Sequence, residues 1–254
     1  MPLRIADVSA DAILLAGGAR AILLQIANPG VGRGVAEHSD FAARPLDRLH
    51  GTLTYLYVIV YGTPDEVARV ARRVGTAHRP VEGAEYSARN EDLQLWVAAT
   101  LYDTAMLVRE RVFGPLDPAD AEALLDDYAI IATTLGLPRS MWPADRASFD
   151  AYWARSVAAL RVDAPARRVA QELLHPAAGP LWLRALMPMV RVLTAGLLEP
   201  QLRAAYDLPL RPRRFALIMT LVRVVYPRLP EFIRHAPKRR YLRTFRAGTP
   251  LPGQ

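Results

Sequence analysis

The sequence predicts an all-α protein that folds as a single multi-helix domain. Apolar residues recur with helical spacing along most of the chain, and no stretch alternates convincingly between apolar and polar residues as a half-buried strand does. Proline and glycine separate the apolar stretches, and capping side chains precede several of them. The predicted helices span residues 12–27, 45–61, 64–78, 91–112, 119–135, 146–160 and 164–174, with further short helices between prolines in residues 180–246.

The clearest helix start lies at Thr63. Pro64 occupies the first helical position, and Glu66 follows the cap by three residues, which is the spacing of a capping box. Pro80 stops this helix shortly after His78, because proline restricts the residue before it to extended backbone. The pattern therefore predicts a helix that begins at Pro64 and ends near His78.

Two glycines, Gly17 and Gly18, lie inside the first predicted helix. Each weakens a helix by about 1 kcal/mol relative to alanine, and each allows another element to approach the backbone closely. Residues 28–30, Asn-Pro-Gly, are expected to stop this helix, and residues 31–40 form a short glycine-rich piece. Residues 55–61 contain enough β-branched and aromatic side chains to fit a strand as well as a helix.

The composition excludes chemistry that needs a thiol. The 254 residues include no cysteine, so disulfides, thiolate zinc sites, iron–sulfur clusters and cysteine nucleophiles are excluded. The motifs of P-loop proteins, dinucleotide-binding domains, serine hydrolases and zincins are also missing from the sequence. The 32 Arg and Lys residues against 25 Asp and Glu give a net charge of +7, which favours anionic partners without choosing among them.

The chain is predicted to be one domain of residues 1–254, with a core at residues 12–163 and a basic C-terminal helical subregion at residues 164–254. Basic clusters at residues 211–214 and 238–240 allow three interpretations: a solvated face, peripheral contact with an anionic membrane, or nucleic-acid binding. No nucleic-acid recognition motif is present, so nucleic acid is not an expected partner. No targeting signal or membrane-spanning segment is recognised, so the cytoplasm is the expected location, with the membrane surface as the alternative.

His78 is the candidate metal ligand among the five histidines. It follows Val67 by eleven residues, which at 100° per residue brings it back to about 20° from Val67 on the apolar face of its helix. The side chain is therefore expected to point into the core. Two interpretations stay open from the spacing: a buried histidine that bonds a backbone carbonyl, and an axial ligand to haem iron or another metal.

The preceding helix carries a stripe formed by Arg48, Thr52, Tyr55 and Ile59, which are spaced four, three and four residues apart. The stripe is polar at its start and apolar beyond. An arginine on an inner face needs an anionic partner, because an unpaired buried guanidinium is costly. A haem propionate or a carboxylate from a neighbouring helix, such as Glu37, would serve.

Short segments in a fixed order carry a family resemblance that covers about residues 14–153. They are Gly-Ala-Arg-Ala-Ile-Leu-Leu-Gln at residues 18–25, Asn28-Pro29, Val-Ala-Glu-His-Ser-Asp-Phe at residues 35–41, Arg48-x-x-x-Thr52, His78-x-x-Val81-x-Gly83, Tyr-Ser-Ala-Arg-Asn-Glu-Asp at residues 86–92, and Trp96-Val97. Together they resemble the oxygenase family that includes latex-clearing protein and the MpaB-type oxygenases.

The resemblance implies an all-α fold with a globin-like core and a bound b-type haem. In latex-clearing protein the proximal ligand is the histidine of the His-x-x-Val-x-Gly turn, which corresponds to His78. The arginine and threonine of the preceding helix line the haem pocket and correspond to Arg48 and Thr52. Arg48 is then expected to neutralise a propionate or order a distal water, and Thr52 to bond bound oxygen or a bridging water. Tyr55, on the same stripe, is expected to contact the cofactor.

Two positions depart from the family pattern. Rubber-cleaving members carry a lysine where this chain has Gly51, so the sixth iron position is expected to be open or filled by water. Many members have His-Pro where this chain has Asn28-Pro29. His38 and His50 are secondary candidates, and His175 and His235 are expected to be structural. His50 lies 200° from Arg48 on its helix and is expected at a surface or interface, while His38 adjoins Glu37 in a segment of unclear orientation.

The sequence thus predicts a haem b-dependent oxygenase that acts on a small hydrophobic molecule, with O₂ or peroxide as the oxidant. The alternative is a non-enzymatic helical scaffold that binds lipid or an anionic membrane surface through its basic C-terminal subregion. The substrate, the oxidant and the oligomeric state stay open at this point.

Overall fold

The computed structural model describes residues 2–38, 45–84, 86–177 and 180–248, with the side chains of residues 45–48 excepted. It confirms the all-α prediction. Helices account for nearly all of the regular structure: α1 (Ile5–Val8), α2 (Gly18–Ile26), α3 (Pro29–His38), α4 (Pro45–Tyr61), α5 (Pro64–His78), α6 (Glu91–Phe113), α7 (Pro118–Thr133), α8 (Arg146–Ala159), α9 (Ala164–Leu174), α10 (Leu181–Leu197), α11 (Pro200–Ala205), α12 (Pro212–Val225), α13 (Glu231–Arg234) and α14 (Ala236–Arg246). Short 3-10 helices span Ala12–Gly17, Arg139–Met141 and Tyr226–Arg228.

The two helices with the strongest local signals have the predicted bounds. The Thr63 hydroxyl accepts a hydrogen bond from the Glu66 backbone amide at 3.3 Å, and the Glu66 carboxylate accepts one from the Thr63 amide at 2.9 Å. This capping box starts α5, which ends at His78 as predicted. Residues 55–61 belong to α4, so the helical interpretation of this stretch is correct.

The first predicted helix is divided at its two glycines. Residues 12–17 form a 3-10 helix and α2 begins at Gly18. A Cβ atom on Gly17 would lie 2.4 Å from Cγ2 of Thr104 on α6, which confirms that this glycine allows close approach. The Asn28 side chain accepts a hydrogen bond from the Gly30 amide at 3.0 Å, so Asn28 also caps the next helix. For this reason a helix, α3, begins at Pro29 and includes the glycine-rich piece as far as His38, where the sequence predicts no helix. Residues 39–40 lie outside the described residues.

A small hairpin corrects the expectation that the chain has no strand. Strands β1 (Glu82–Gly83) and β2 (Tyr86–Ser87) pair antiparallel, with Glu82 opposite Ser87 and Gly83 opposite Tyr86. Strands of two residues are too short to show alternation in the sequence. The Tyr86 ring lies over Gly83, where a Cβ atom would come within 2.6 Å of it. The hairpin follows α5 directly and fixes the chain next to His78.

The core consists of two groups of buried side chains. The first joins α4, α6 and α7 and includes Leu242 and Phe245 of α14. The second joins α2, α3, α9 and α10, and it includes Trp96, whose indole stacks on Trp153 with ring centroids 5.3 Å apart. Elements from the C-terminal third thus complete both groups. A globin-like arrangement of the helices and the division at residue 164 stay predictions.

Arg20 ties α2 to two other parts of the chain, although its side chain is almost fully buried. Its guanidinium donates hydrogen bonds to the Thr104 hydroxyl at 2.7 Å and to the Leu197 carbonyl at 2.8 Å. The same group forms ion pairs with Asp103 at 2.7 Å and Glu199 at 2.5 Å. Burial raises the pKa of the Asp103 carboxyl, while the neighbouring guanidinium opposes that rise.

Within the described ranges, no single helix has both the length and the hydropathy needed to cross a bilayer. The pair formed by Ala12–Ile26 and Pro29–His38 reaches both only when taken together, and it bends by 106° at the break.

Candidate functional site

A cavity of about 560 Å³ lies among α2, α3, α4, α5, α6, α7 and the hairpin. This volume falls within the range of about 300–1,000 Å³ that is usual for small-molecule and cofactor pockets. Aliphatic and aromatic side chains form most of the wall. Leu15 and Leu49 belong to the wall and are also partly exposed, so the cavity reaches the protein surface near them.

The structure brings three of the four predicted site residues to this cavity. Thr52 and Tyr55 line it from α4, and His78 lines it from the end of α5. Arg48 lies on α4 one turn before Thr52, on the same helix face, and its side chain is outside the described part of the structure. These placements test no binding role, so the roles assigned to the four residues stay predictions.

His78 reaches the cavity because α5 is fixed at its start and in its middle. The capping box sets the start of the helix, and Val70 in the middle is buried in the first core group. Val74 precedes His78 by one turn and lines the same wall. The His78 side chain is half-buried at this wall, so it lies at the edge of the core and not inside it.

Tyr55 presents its ring to the cavity and its hydroxyl to the protein. The hydroxyl donates a hydrogen bond to the Ile131 carbonyl on α7 at 2.5 Å. Burial of the side chain raises the pKa of this hydroxyl well above its ordinary value, so it stays protonated. Tyr55 therefore contributes a fixed apolar surface and no free hydroxyl.

A second polar group at the cavity involves Glu37, His38 and Tyr86. The Tyr86 hydroxyl donates a hydrogen bond to the Glu37 carboxylate at 2.5 Å and lies 3.0 Å from Nε2 of His38. The hydrogen bond to Glu37 is the main cause that raises the pKa of Tyr86. His38 and Tyr86 both line the cavity. The sequence names His38, beside Glu37, only as a secondary candidate and assigns no role to Tyr86, because the hairpin that brings Tyr86 to α3 has no recognisable pattern.

Other polar side chains on the wall are bonded within the protein. The Gln25 amide donates to the Thr100 hydroxyl at 3.0 Å, and the Gln94 amide donates to the Ala88 carbonyl at 3.0 Å. The Thr104 hydroxyl accepts from Arg20. Since these groups already form hydrogen bonds within the protein, the cavity is best suited to a ligand that is apolar over most of its surface.

Glycines open two parts of the wall. Gly18 and Gly51 both line the cavity, and an added Cβ atom at either position would meet no described atom within 4 Å. The backbone there is accessible to a flat ligand. Gly34 is tighter, because a Cβ atom would lie 3.3 Å from the Tyr86 ring.

Three other histidines, His50, His175 and His235, lie outside the cavity wall. The His50 ring lies against Tyr241 of α14, with ring centroids 5.7 Å apart, and His235 lies 3.9 Å from Asp11. Among the described residues, no group of three or more His, Cys, Asp or Glu side chains lies close enough together to hold a metal ion. Haem iron, however, needs only one axial ligand from the protein.

Comparisons with known proteins agree with the resemblance seen in the motifs. The family model described as "ER-bound oxygenase mpaB/B'/Rubber oxygenase, catalytic domain" matches residues 6–225. The uncharacterized proteins Mb2261 of Mycobacterium bovis and Rv2237 of Mycobacterium tuberculosis are each 36% identical to this chain over 223 residues, which cover 83% of it and 88% of each relative. No solved structure matches the chain. The chain therefore belongs to the family of mpaB-type and rubber oxygenase catalytic domains.

Proposed function

We propose that this oxygenase binds haem b in the cavity and uses His78 as the proximal iron ligand. The observation that carries the proposal is the placement of the His78 side chain on the wall of a cavity of about 560 Å³ with a mostly apolar lining. An imidazole nitrogen is the usual protein ligand of haem iron. When bound, haem supplies an iron centre that activates O₂ or peroxide for oxidation of the substrate.

The residues at the cavity fit a porphyrin in three respects. The volume lies within the usual range for cofactor pockets, and the apolar wall suits the faces of a macrocycle. At Gly18 the wall has open space where another residue would have a side chain, so a planar group can approach the backbone. To Arg48, which lies one turn before Thr52 on α4, we assign the neutralisation of a propionate.

The polar side chains then have separate tasks. Thr52 offers a hydroxyl that can donate a hydrogen bond to the oxidant or to an ordered water. Tyr55 holds the wall in place because its hydroxyl is already bonded to α7. Gly51 leaves space on the wall next to Thr52, which we assign to the oxidant and the substrate.

A proton can move along the group formed by His38, Tyr86 and Glu37. Nε2 of His38 lies within hydrogen-bond distance of the Tyr86 hydroxyl, which in turn donates to the Glu37 carboxylate. A tyrosine hydroxyl is protonated near neutral pH, and the hydrogen bond to Glu37 raises the pKa of Tyr86 further. Because Glu37 is exposed, the group connects the cavity wall to solvent and can hold or pass on a proton during turnover.

The apolar lining favours a small hydrophobic substrate. The Gln25 and Gln94 amides on the wall already bond other protein groups, and most of the wall is apolar, so a polar substrate would lose hydrogen bonds to water with little replacement. The protein's part is therefore to exclude water, to hold the apolar molecule and to orient it.

The test is the absorption spectrum of protein produced with ample haem. The wild-type protein should be coloured, with a Soret band in proportion to protein concentration, and His78→Ala should lose most of that band. His78→Gly should regain it when imidazole is added, because free imidazole can take the place of the missing side chain. His175→Ala is the matched control, since His175 is exposed at the end of α9, and it should keep the wild-type spectrum.

A colourless wild-type protein under these conditions would contradict the proposal and would favour the non-enzymatic alternative. A His78→Ala variant with an unchanged Soret band would leave haem binding in place and assign the iron ligand to another residue. Far-UV circular dichroism of each variant separates loss of haem from loss of fold.

A further inference from the structure

Helix α12 exposes the apolar face that a surface helix normally buries. Leu217, Leu221 and Val224 are 71%, 61% and 51% exposed, and Val225 beside them is 44% exposed. Their spacing of four, three and one residues places them on one side of the helix. No residue of α12 is fully buried. We refer to Leu217, Leu221, Val224 and Val225 as the α12 stripe.

The opposite side of α12 holds the helix on the protein. The Phe215 ring occupies the space where a side chain at Gly196 of α10 would lie. Beyond the helix, the Tyr226 hydroxyl accepts a hydrogen bond from the Ile13 amide at 3.1 Å and donates one to Asp11 at 3.2 Å. The α12 stripe is therefore not needed to fix the helix in place.

Basic side chains continue the α12 stripe at its N-terminal end. Arg213 and Arg214 are exposed, and at 100° per residue they lie about 40° and 60° to either side of the line through Leu217. One face of α12 thus carries two guanidinium groups followed by an apolar surface. This is the pattern of a helix that lies in the interface of a membrane.

The surrounding region concentrates both positive charge and exposed apolar side chains. Residues 180–254 contain 14 Arg and Lys against three Asp and Glu, a net charge of +11, whereas residues 1–179 contain 18 against 22 and carry −4. Among the described residues, 11 of the 14 large apolar side chains that are exposed lie between Leu181 and Ile233. The overall charge of +7 is therefore a property of this region, not of the whole surface.

We propose that the α12 stripe, together with Arg213 and Arg214, docks the protein on an anionic lipid bilayer. Leu217, Leu221 and Val224 enter the boundary between headgroups and acyl chains, and the two arginines bind lipid phosphates. Guanidinium groups pair well with phosphate oxygens, and basic residues near an anionic leaflet strengthen binding. The proposal is independent of the haem assignment.

Charge argues against a second copy of the chain as the occupant. A symmetric dimer through the α12 stripe would bring two regions of +11 against each other. A bilayer rich in acidic lipid offers the opposite charge together with an apolar layer. It is thus the partner that complements both features of the surface.

Vesicle co-sedimentation tests the proposal. The full chain should bind vesicles made of equal parts phosphatidylcholine and phosphatidylglycerol at low salt, release them as salt is raised, and leave pure phosphatidylcholine vesicles largely unbound. Leu217→Gln/Leu221→Gln should weaken binding about tenfold or more, since each leucine withdrawn from hydrocarbon costs roughly that factor. Arg213→Gln/Arg214→Gln should weaken binding and reduce its dependence on salt.

Matched control variants distinguish binding through this surface from nonspecific binding to vesicles. Arg167→Gln/Arg168→Gln removes an adjacent pair of exposed arginines from α9, and Ile130→Gln removes an exposed apolar side chain from α7; both should bind as wild type. Wild-type protein that ignores anionic vesicles at low salt would overturn the proposal. So would Leu217→Gln/Leu221→Gln protein that binds as well as wild type, or a wild-type dimer that this variant converts to monomer in the absence of any vesicle binding.

Discussion

Arg20 shows most clearly what one residue does for this fold. Its guanidinium is buried between two carboxylates and also bonds a hydroxyl and a backbone carbonyl. The net contribution of such a buried group is small, because burying the charges offsets much of their attraction. Removing the guanidinium alone costs much more stability, because the carboxylates of Asp103 and Glu199 would then lie near each other with no positive charge to pair with them.

The variant Arg20→Met should destabilise the protein by about 3–5 kcal/mol, the usual cost of breaking a buried ion pair. Urea unfolding measures this loss. Arg4→Met is the matched control, since Arg4 also forms a short ion pair, at 2.6 Å with Asp127, but is 59% exposed. It should change the free energy of unfolding far less.

The loss in Arg20→Met should also depend on pH. Burial already raises the pKa of Asp103, and removing Arg20 takes away the charge that opposes the rise. A carboxyl whose pKa is higher in the folded state stabilises the fold at acidic pH and loses that contribution as the pH rises through the folded pKa. The deficit relative to wild type should therefore grow from acidic to neutral pH. A deficit that is constant, or largest in acid, would contradict this account.

At the scale of elements, the junction of the first 3-10 helix and α2 depends on two adjacent glycines with different surroundings. Gly17 faces Thr104 and Val108 of α6, whereas Gly18 faces open space in the cavity wall. The same substitution should therefore have opposite effects at the two positions.

Gly17→Ala should destabilise the protein by about 1–3 kcal/mol, because the new methyl group overlaps two β-branched side chains. Gly18→Ala should stabilise it by about 0.4–1 kcal/mol, because the helical backbone at this position suits alanine and the unfolded chain loses freedom. Urea unfolding of both variants decides the matter. Equal effects of the two substitutions would show that the approach of α6 does not limit this junction.

The elements that the sequence predicts well are those whose signals are local. The cap at Thr63 and the proline at residue 45 define α5 and α4 without help from the rest of the chain. Asn28 is ambiguous in the sequence, because the same Asn-Pro-Gly signal can end one helix and can also cap the start of the next. The hairpin has no recognisable signal in the sequence, because its strands have only two residues each. The packing of the Tyr86 ring over Gly83 is a contact that residue patterns do not reveal.

The candidate site depends on how helices from distant parts of the sequence pack together. The helical period places His78 on an inner face, but the cavity exists only where side chains from six helices meet. The group of Glu37, His38 and Tyr86 depends on contact between α3 and the hairpin, which no spacing in the sequence reveals. Motif order was therefore the only sequence signal that could join these parts into one site.

The C-terminal helix is part of the same core as the cavity wall. Phe245 of α14 is buried in the group that contains Tyr55 and Val70, and the guanidinium of Arg69 lies 4.5 Å from the centre of its ring. Arg246 beside it pairs with Glu66 at 2.9 Å. The basic end of the chain thus supports the helices that carry the site.

Phe245→Ala should destabilise the whole molecule by about 3–5 kcal/mol, because it leaves a cavity in the shared core. Calorimetry and far-UV circular dichroism should show one transition moved to lower temperature. Phe232→Ala is the matched control, since this ring is 66% exposed, and it should change the free energy by no more than about 0.5 kcal/mol. Early melting of α14 alone, with the main transition unmoved, would contradict a shared core.

The indole of Trp96, which stacks on that of Trp153, adjoins the cavity wall along the chain. Trp96 immediately precedes Val97 and Ala98, which both line the cavity, and its ring lies parallel to that of Trp153 within 27°. A haem bound in the cavity would therefore lie near this pair and would quench its tryptophan fluorescence by energy transfer. If haem binds there, tryptophan fluorescence should fall as the cavity is occupied, whether or not the protein turns over substrate.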